Sequence, residues 1–535
     1  MKQEALIAFN QLLDPCSVIS DKNELLKYTQ ACIPVDTTIQ AAIKPKTTKE
    51  VQSIVLIAAK YGLSLYPIST GQNWGYGSAN PVRKDNIIVD LSMMNKIIEV
   101  NKTLAYAVIQ PGVTQEQLYQ YLEKENCGLM MDPTGSGPSC SVLGNTLERG
   151  YGITPYGDHF DVMSGMEIVL ANGEILNTGF GHFKNSKVTR LFKYGTGPYL
   201  DGIFTQSNFG IVTSIGIWLM PKPEYFETCY FSTKEEDGLK DLVESTRWLL
   251  LNRIVKGSIN LMHRDRILTL MIQYPWDEMK GKKPPLKEDI AKRIAEKKDI
   301  GAWNGVVSLY GTKEEVKAAK KVIRRVLKNK CYRLNFVSDN LLKLVERFEW
   351  AVTPIGKVMG MDVKELIKVL RPSFDLMKGK PSEISLPTPY WRMKKPIPKK
   401  NINPAKDNCG LFWIAPVVPM EIESTKDFIA TVKPIFTQHG FETCITFTAV
   451  THRAFDCTLP LLYDKDDATE TESALKCYHQ VVSACIEKGY IPYRFGIQSM
   501  EDLVKGKDVF WDVAAGIKNT LDPKGIISPG RYSRY

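Results

Sequence analysis

The spacing of apolar residues changes period along the chain, and each change predicts an element. Between 47 and 61, Val51, Ile54, Ile57 and Ala58 fall on one helical face, with Thr47 and Glu50 at capping-box spacing. A glycine-rich loop, PISTGQNWGYGSANP (67–81), separates that helix from the apolar run IIVDL (87–91). AYAVIQPGV (105–113) reads as a strand ending in a turn, and Thr114 with Gln117 caps a helix to about Glu125. EIVLANGEIL (167–176) reads as a hairpin, with Asn172-Gly173 supplying positive φ angles, and GIVTSIGIWLMP (210–221) as a further strand. Short strands mixed with helices predict an α+β arrangement.

The later chain repeats a strand–helix unit. Strand GVVSLYG (305–311) precedes a helix over 313–328, with Thr312 and Glu315 as its capping pair. Strand LFWIAPVVP (411–419) precedes a helix over 424–438, and strands CITFTAV (444–450) and CTLPLLYD (457–464) precede a helix over 467–488. This pattern predicts a second α+β region built on one antiparallel sheet. The proline-rich stretch 381–404 interrupts it as a long irregular segment, of a length that is often functional. The tail DPKGIISPGRYSRY (522–535) has turn chemistry rather than helix periodicity.

Composition narrows the function classes. The 535 residues are 44% hydrophobic and 24% charged, which suits folded domains and excludes fibrous or low-complexity chains. The net charge of +10 comes from 69 basic against 59 acidic residues spread along the chain, with no aromatic-basic interleaving of a nucleic-acid reader. The densest cationic stretch, Lys394, Lys395, Lys399 and Lys400, is broken by prolines and reads as a solvated loop. No apolar run is long enough for a membrane helix, and the N-terminus lacks the apolar core of a signal peptide. Eleven cysteines without a CxxC point to a reducing, cytoplasmic setting. The six histidines form neither HExxH nor a zinc spacing, so no metal is expected.

Two segments carry candidate chemistry. The first loop holds Gly71, Gly75 and Gly77, whose backbone N–H groups could approach a pyrophosphate. It matches neither a Walker A motif nor GxGxxG. The second, DPTGSGPSCSVLGNTLERGYGITPYGD (132–158), has glycines at 135, 137, 144, 150, 152 and 157. Two such loops can bracket a dinucleotide; spacing alone equally suits two unrelated surface turns.

Their wording goes further than their spacing. PISTGQNWGYGSANP, VIQPGVTQEQLYQYL, SVLGNTLERGYGITPYGDHF, SGMEIVLANGEILNTG, YGTGPYLDGIFTQSNFGIVTSIGIWLMP, IPYR and DPKGIISPG together resemble the vanillyl-alcohol oxidase and p-cresol methylhydroxylase family of flavoproteins. The resemblance runs from about Ala41 to Gly530. It implies an α+β fold: a two-part FAD-binding domain, from 1–225 and 489–535, and a cap domain over 226–488 with an antiparallel sheet. It implies FAD contacts at Ser69, Thr70, Gly71, Gln72, Asn73, Trp74 and Gly75 in the first loop. In the second it implies Gly135, Ser136, Cys140, Ser141, Gly144, Asn145, Gly152, Ile153, Thr154 and Gly157, and elsewhere Gly210, Ile211, Val212 and Arg531. Tyr76, Tyr493 and Arg494 match the family's trio that binds a phenol oxygen. Two hydroxyl donors and a permanent cation suit a phenolate. The implied reaction is oxidation of a 4-alkylphenol or 4-hydroxybenzylic alcohol at its benzylic carbon, by hydride transfer to flavin N5 through a quinone methide. Relatives use oxygen or a cytochrome as electron acceptor and commonly form dimers.

Three departures bear on that expectation. Ser136 stands about where some members carry an aspartate near the flavin. Asp456 and Cys457, in HRAFDCTLPLLYD (452–464), replace the usual histidine or tyrosine of covalent attachment, which favours noncovalent FAD. Cys140 offers an alternative linkage, of the kind found in berberine bridge enzymes, although the partner histidine of those proteins is Gln72 here. Asp456 and His452 are the candidate bases, whereas Asp158 and His159 are expected to organise their loop. Tyr390, Trp391 and Trp413 are aromatic candidates for pocket or core. The competing reading is a flavin oxidoreductase of the same superfamily acting on a non-phenolic alcohol, a hydroxy acid or a natural-product intermediate. A third is a flavin-binding protein with a structural or sensory role.

Overall fold

Thr47 caps its helix as its spacing predicts. Its side chain accepts the Glu50 N–H at 3.2 Å, and the helix runs Thr48–Tyr61. Glu50 reaches one residue further back than a capping box requires, taking the Lys46 N–H at 2.5 Å. Val51, Ile54, Val55 and Ala58 are buried, while Ile57 stays half-exposed at the edge of the apolar face. That face covers a four-stranded sheet in which Ile39–Ile43 and Leu65–Ile68 both run parallel to Asn86–Asp90. The computed structural model describes residues 3–348 and 363–534.

A second, five-stranded antiparallel sheet follows, with Ile211–Trp218 at its centre between Tyr106–Ile109 and Met163–Val169. The predicted hairpin is present, but only Gly173 (φ +82°) takes a left-handed conformation. Asn172 instead accepts the Glu174 N–H through its side chain at 3.0 Å. The tail returns to this half of the chain. Ile526 and Ile527 join the apolar cluster of Ala41, Ile43, Leu65, Ile87 and Val89, and the Leu65 N–H donates to the Ile526 carbonyl at 2.7 Å.

The later strands form one antiparallel sheet of seven strands in a row. In order they are 333–338, 225–233, 303–311, 259–263, 446–449, 454–463 and 410–414. Helices Lys313–Leu327, Ile422–Gln438 and Ala468–Glu487 cover one face, and the Thr312–Glu315 capping box is complete. The predicted strand 411–419 is broken at Ala415-Pro416 into Gly410–Ile414 and Val417–Pro419, because proline cannot continue the ladder. The freed Ala415 carbonyl accepts the Tyr493 N–H at 3.1 Å, so the break is where IPYR docks.

The period-2 alternation decides which side chains look away from the helices. Cross-strand pairing places Asp456, Thr448, Asn260, Val306 and Tyr230 in one row on that other face. Among the described residues, no helix is long and apolar enough to cross a membrane, and no group of three or more His, Cys, Asp or Glu is placed to hold a metal ion.

Candidate active site

The first glycine loop leaves the end of strand Leu65–Ile68 and turns sharply. The Asn73 carbonyl accepts the N–H groups of both Tyr76 (3.1 Å) and Ser78 (2.9 Å). Gly71 and Gly75 have φ of +70° and +74°. A Cβ on Gly75 would lie 2.5 Å from Cδ1 of Trp413, so only glycine lets this loop press against the strand Gly410–Ile414. Trp74 packs with Leu268, Leu386, Trp391 and Leu411 of the later region. Trp413 therefore meets the loop, whereas Tyr390 and Trp391 are core: Tyr390 bonds Asp407, and the Trp391 indole donates to Glu442 at 2.9 Å.

The second loop docks directly on the first. The Ser141 N–H donates to Thr70 Oγ1 at 3.2 Å, and a Cβ on Gly144 would lie 2.3 Å from Ser69 Oγ. Ser141 Oγ accepts the Gly144 N–H at 2.9 Å and caps the short helix Val142–Leu147. Gln72 contacts the Ser139 hydroxyl at 2.8 Å. A buried His159 sets the rest of the loop, its ring nitrogens 2.8 Å from Asp132 Oδ2 and 2.6 Å from Asn145 Oδ1. Asp132 also accepts the Thr154 N–H at 2.8 Å, and a Cβ on Gly152 would collide with its carboxylate. The Gly152 N–H in turn donates to the Gly157 carbonyl at 2.8 Å, closing the turn around Ile153 and Thr154. Asp158 accepts the N–H groups of Phe160 and Asp161. His159 and Asp158 are thus loop organisers.

Other expected cofactor positions are more varied. Gly135 and Gly137 face Ser385 and Leu386 of the later region, with Ser136 between them. Gly210 fits tightly against Ile168, and Ile211 and Val212 point into two apolar clusters. Their side chains serve packing. Cys140 is buried, its thiol pushed up to about 11 by burial, with the Arg494 charge and hydrogen bonds pulling the other way. Such a thiol is held protonated at neutral pH.

Tyr76, Tyr493 and Arg494 come together at the junction of the two regions. The Arg494 guanidinium lies 4.3 Å from the centre of the Tyr76 ring, donates to Asn73 Oδ1 at 2.5 Å, and pairs with Glu148 Oε2 at 3.1 Å. The other Glu148 oxygen pairs with Arg531, whose guanidinium also donates to the Tyr66 hydroxyl at 3.1 Å. One carboxylate therefore holds two arginines. Burial would raise the Glu148 carboxyl, but Arg531 and Arg494 outweigh it and hold it below the usual range. The Tyr493 ring meets Tyr151 edge-on at 5.4 Å.

Burial raises both phenols of the trio, and the nearby Asp456 adds to this while Arg494 opposes it. Both tyrosines stay neutral donors at any working pH. Asp456 is pushed up to about 7 by burial, with only the Thr458 hydroxyl, at 3.3 Å, pulling it down. Its Oδ1 is buried without a partner, as is Asn260 Oδ1 in the same cross-strand row. A carboxyl near 7, open on one oxygen, suits proton transfer at neutral pH.

The expectation for His452 is corrected. It lies in the exposed turn between strands Thr446–Ala449 and Ala454–Tyr463, beside Arg247, Pro419 and Glu421 on the surface. Antiparallel pairing puts that turn at the sheet's end and Asp456 two positions inside the strand, so one reaches the junction and the other does not. Glu148, Tyr66 and Tyr151 were missed. Glu148 and Tyr151 lie in NTLERGYG, yet nothing in spacing distinguishes a shared counter-ion from a helix-end glutamate.

The two interlocked glycine loops, with no room for side chains at Gly75, Gly144 and Gly152, fit a bound dinucleotide, and Arg531 adds a cation beside them. Residues 39–179 match a family described as an FAD binding domain. Over 531 residues the chain is 35% identical to 1'-carboxy-chondrochloren decarboxylase of Chondromyces crocatus, covering 99% of this chain and 97% of that one. It is 30% identical to the 4-cresol dehydrogenase [hydroxylating] flavoprotein subunit of Pseudomonas putida, covering 99% and 95%. Among solved structures, p-cresol methylhydroxylase with substrate bound superposes with a TM-score of 0.87 at 28% identity, covering 99% and 96%. An isoeugenol complex of 4-ethylphenol oxidase from Gulosibacter chungangensis gives 0.88 at 27% identity, covering 99% and 97%.

Proposed function

Since the chain belongs to the vanillyl-alcohol oxidase and p-cresol methylhydroxylase family and is an FAD-dependent oxidoreductase, we propose that it oxidises para-substituted phenols at the benzylic carbon. The observation that carries this reading is the grouping of Tyr76 and Tyr493 with an Arg494 held by Glu148 and Asn73. FAD supplies the hydride acceptor. Arg494 and the two neutral hydroxyls hold the phenol oxygen as its anion. Charge held there raises electron density at the para carbon and weakens the benzylic C–H bond. Asp456 handles the proton of water adding to the oxidised substrate.

The division into 1–225 with 489–535 for FAD and 226–488 for the cap belongs to the same proposal. So do noncovalent FAD, a cytoplasmic setting, an acceptor that is oxygen or a cytochrome, and a homo-oligomeric state. One observation favours a second fate for the oxidised substrate. The relative at 35% identity is a decarboxylase of a carboxylated compound, so an acid side chain deserves a place beside plain alkyl groups among trial substrates.

The test is anaerobic. Flavin absorbance should bleach with 4-alkylphenols or 4-hydroxybenzyl alcohols and not with analogues lacking the para hydroxyl. Arg494→Ala should slow bleaching by about 100-fold or more, and Tyr493→Phe by less. Equal bleaching with and without the hydroxyl would transfer the reading to a non-phenolic alcohol. FAD released on acid unfolding supports noncovalent binding, and retained flavin supports Cys140.

A further inference from the structure

Four arginines are buried among the described residues, and three have an acid. Arg264 pairs with Asp265 and Glu288, Arg392 with Glu442 and Glu470, and Arg531 with Glu148. Arg266 is 8% exposed and makes no ion pair with any described residue. One guanidinium nitrogen, Nη1, donates to Thr269 Oγ1 and Thr388 Oγ1, each at 2.9 Å. Nε is buried with no acceptor. Burial pulls this guanidinium down to about 10, with Cys444 the only opposing influence. An unpaired buried cation is costly, and such a group persists where something else meets it.

Its position says what that is. Arg266 stands on the helix Arg264–Met271, which directly follows the strand Ile259–His263 that carries Asn260 and Met262 on the site face. Leu268 of the same helix packs with Trp74 of the first glycine loop. Thr388 follows Ser385 and Leu386, which abut Gly135 and Gly137 of the second loop. The guanidinium therefore lies where the cap meets both loops, with one edge tied to two threonines. The Nε–Nη2 edge is the fork that matches a carboxylate. Arg494 stands apart from this group, beside the Tyr76 ring, where the phenol reading assigns it to the other end of the substrate.

We propose that Arg266 anchors a carboxylate on the substrate's para side chain, so that the enzyme prefers 4-hydroxyphenyl alkanoic acids to neutral 4-alkylphenols. This rests on the phenol reading above and adds a second, charged end to the substrate. The competing source of an anion at this place is a phosphate of FAD.

The experiment compares 4-propylphenol with 4-hydroxyphenylacetate, 3-(4-hydroxyphenyl)propanoate and 4-(4-hydroxyphenyl)butanoate on the holoenzyme. It follows both the oxidised-flavin difference spectrum, for binding, and anaerobic bleaching. The expected result is that one acid binds more tightly than 4-propylphenol, and that Arg266→Met weakens that acid by about 10- to 100-fold while leaving 4-propylphenol unchanged. Arg266→Lys should retain part of the preference, which guards against a folding artefact. Bleaching by 4-propylphenol with no preference for any acid would overturn the proposal alone. Loss of FAD from a folded Arg266→Met would also overturn it, assigning the anion to the cofactor. Acids that perturb the flavin through Arg266 while no phenol bleaches it would keep the anion site and remove the phenol reading.

Discussion

The two sides of the junction are built in opposite ways. Beside the glycine loops and tail, buried ions have ionic partners: Glu148 pairs Arg494 and Arg531, and Lys518 pairs Asp522 while also donating to the Asn208 and Ile527 carbonyls. Facing them, Asp456 and Arg266 make no ion pair with any described residue, and each keeps a buried polar atom without a hydrogen-bond partner. Matched networks hold a geometry rigid; unmatched groups raise the free energy of the empty protein and are relieved by a ligand. The first group is fixed by its own network, and the second keeps polar atoms open to a ligand.

The sharpest way to break this contrast is Glu148→Gln. It removes the single acid between two buried arginines and should cost about 3–5 kcal/mol in denaturant unfolding. A cost under about 1 kcal/mol would mean that solvent already screens the pair. Gly75→Ala comes next. Its positive φ and the Trp413 contact should together cost about 1–3 kcal/mol, and the loop should lose FAD affinity by equilibrium dialysis.

Asp456 yields a pH signature. Its folded carboxyl lies near 7, above its unfolded value of about 4, so the folded state binds the extra proton between those limits. Stability of the FAD-free protein should therefore fall as pH rises from about 4 to 7, by up to about 1.4 kcal/mol per pH unit from this group. Asp456→Asn should flatten that part of the profile in unfolding measured at pH 5 and pH 8. The smallest effect is Tyr230→Phe. The buried Tyr230 hydroxyl faces Ser373, so losing it should cost no more than about 1 kcal/mol while altering substrate preference. A loss above about 2 kcal/mol would show the hydroxyl to be a structural anchor and weaken the contrast.

Local signals were legible where they act over a few residues. Thr312 with Glu315, Thr114 with Gln117 and Thr47 with Glu50 announced helix starts, and all three threonines cap as expected. Asn172-Gly173 was read as a turn with two positive φ angles, yet the chain needs only one, because a side-chain bond from Asn172 replaces the other. Pro416 inside an apolar run was a visible break whose consequence, the docking of Tyr493, was not visible.

The residues themselves determined the glycine loops, the alternating sheet and the α+β class, and the family resemblance singled out Tyr76, Tyr493 and Arg494. Each depends on side-chain chemistry or on short, fixed spacing, and motif wording adds order. Tertiary structure alone decided that Glu148 serves Arg494 and Arg531 across 346 and 383 positions, that Asp456 enters the junction while His452 stays outside, and that Arg266 lacks an acid. Charge pairing in a folded interior depends on which groups burial brings within a few ångströms. The order of residues along a chain does not reveal that distance.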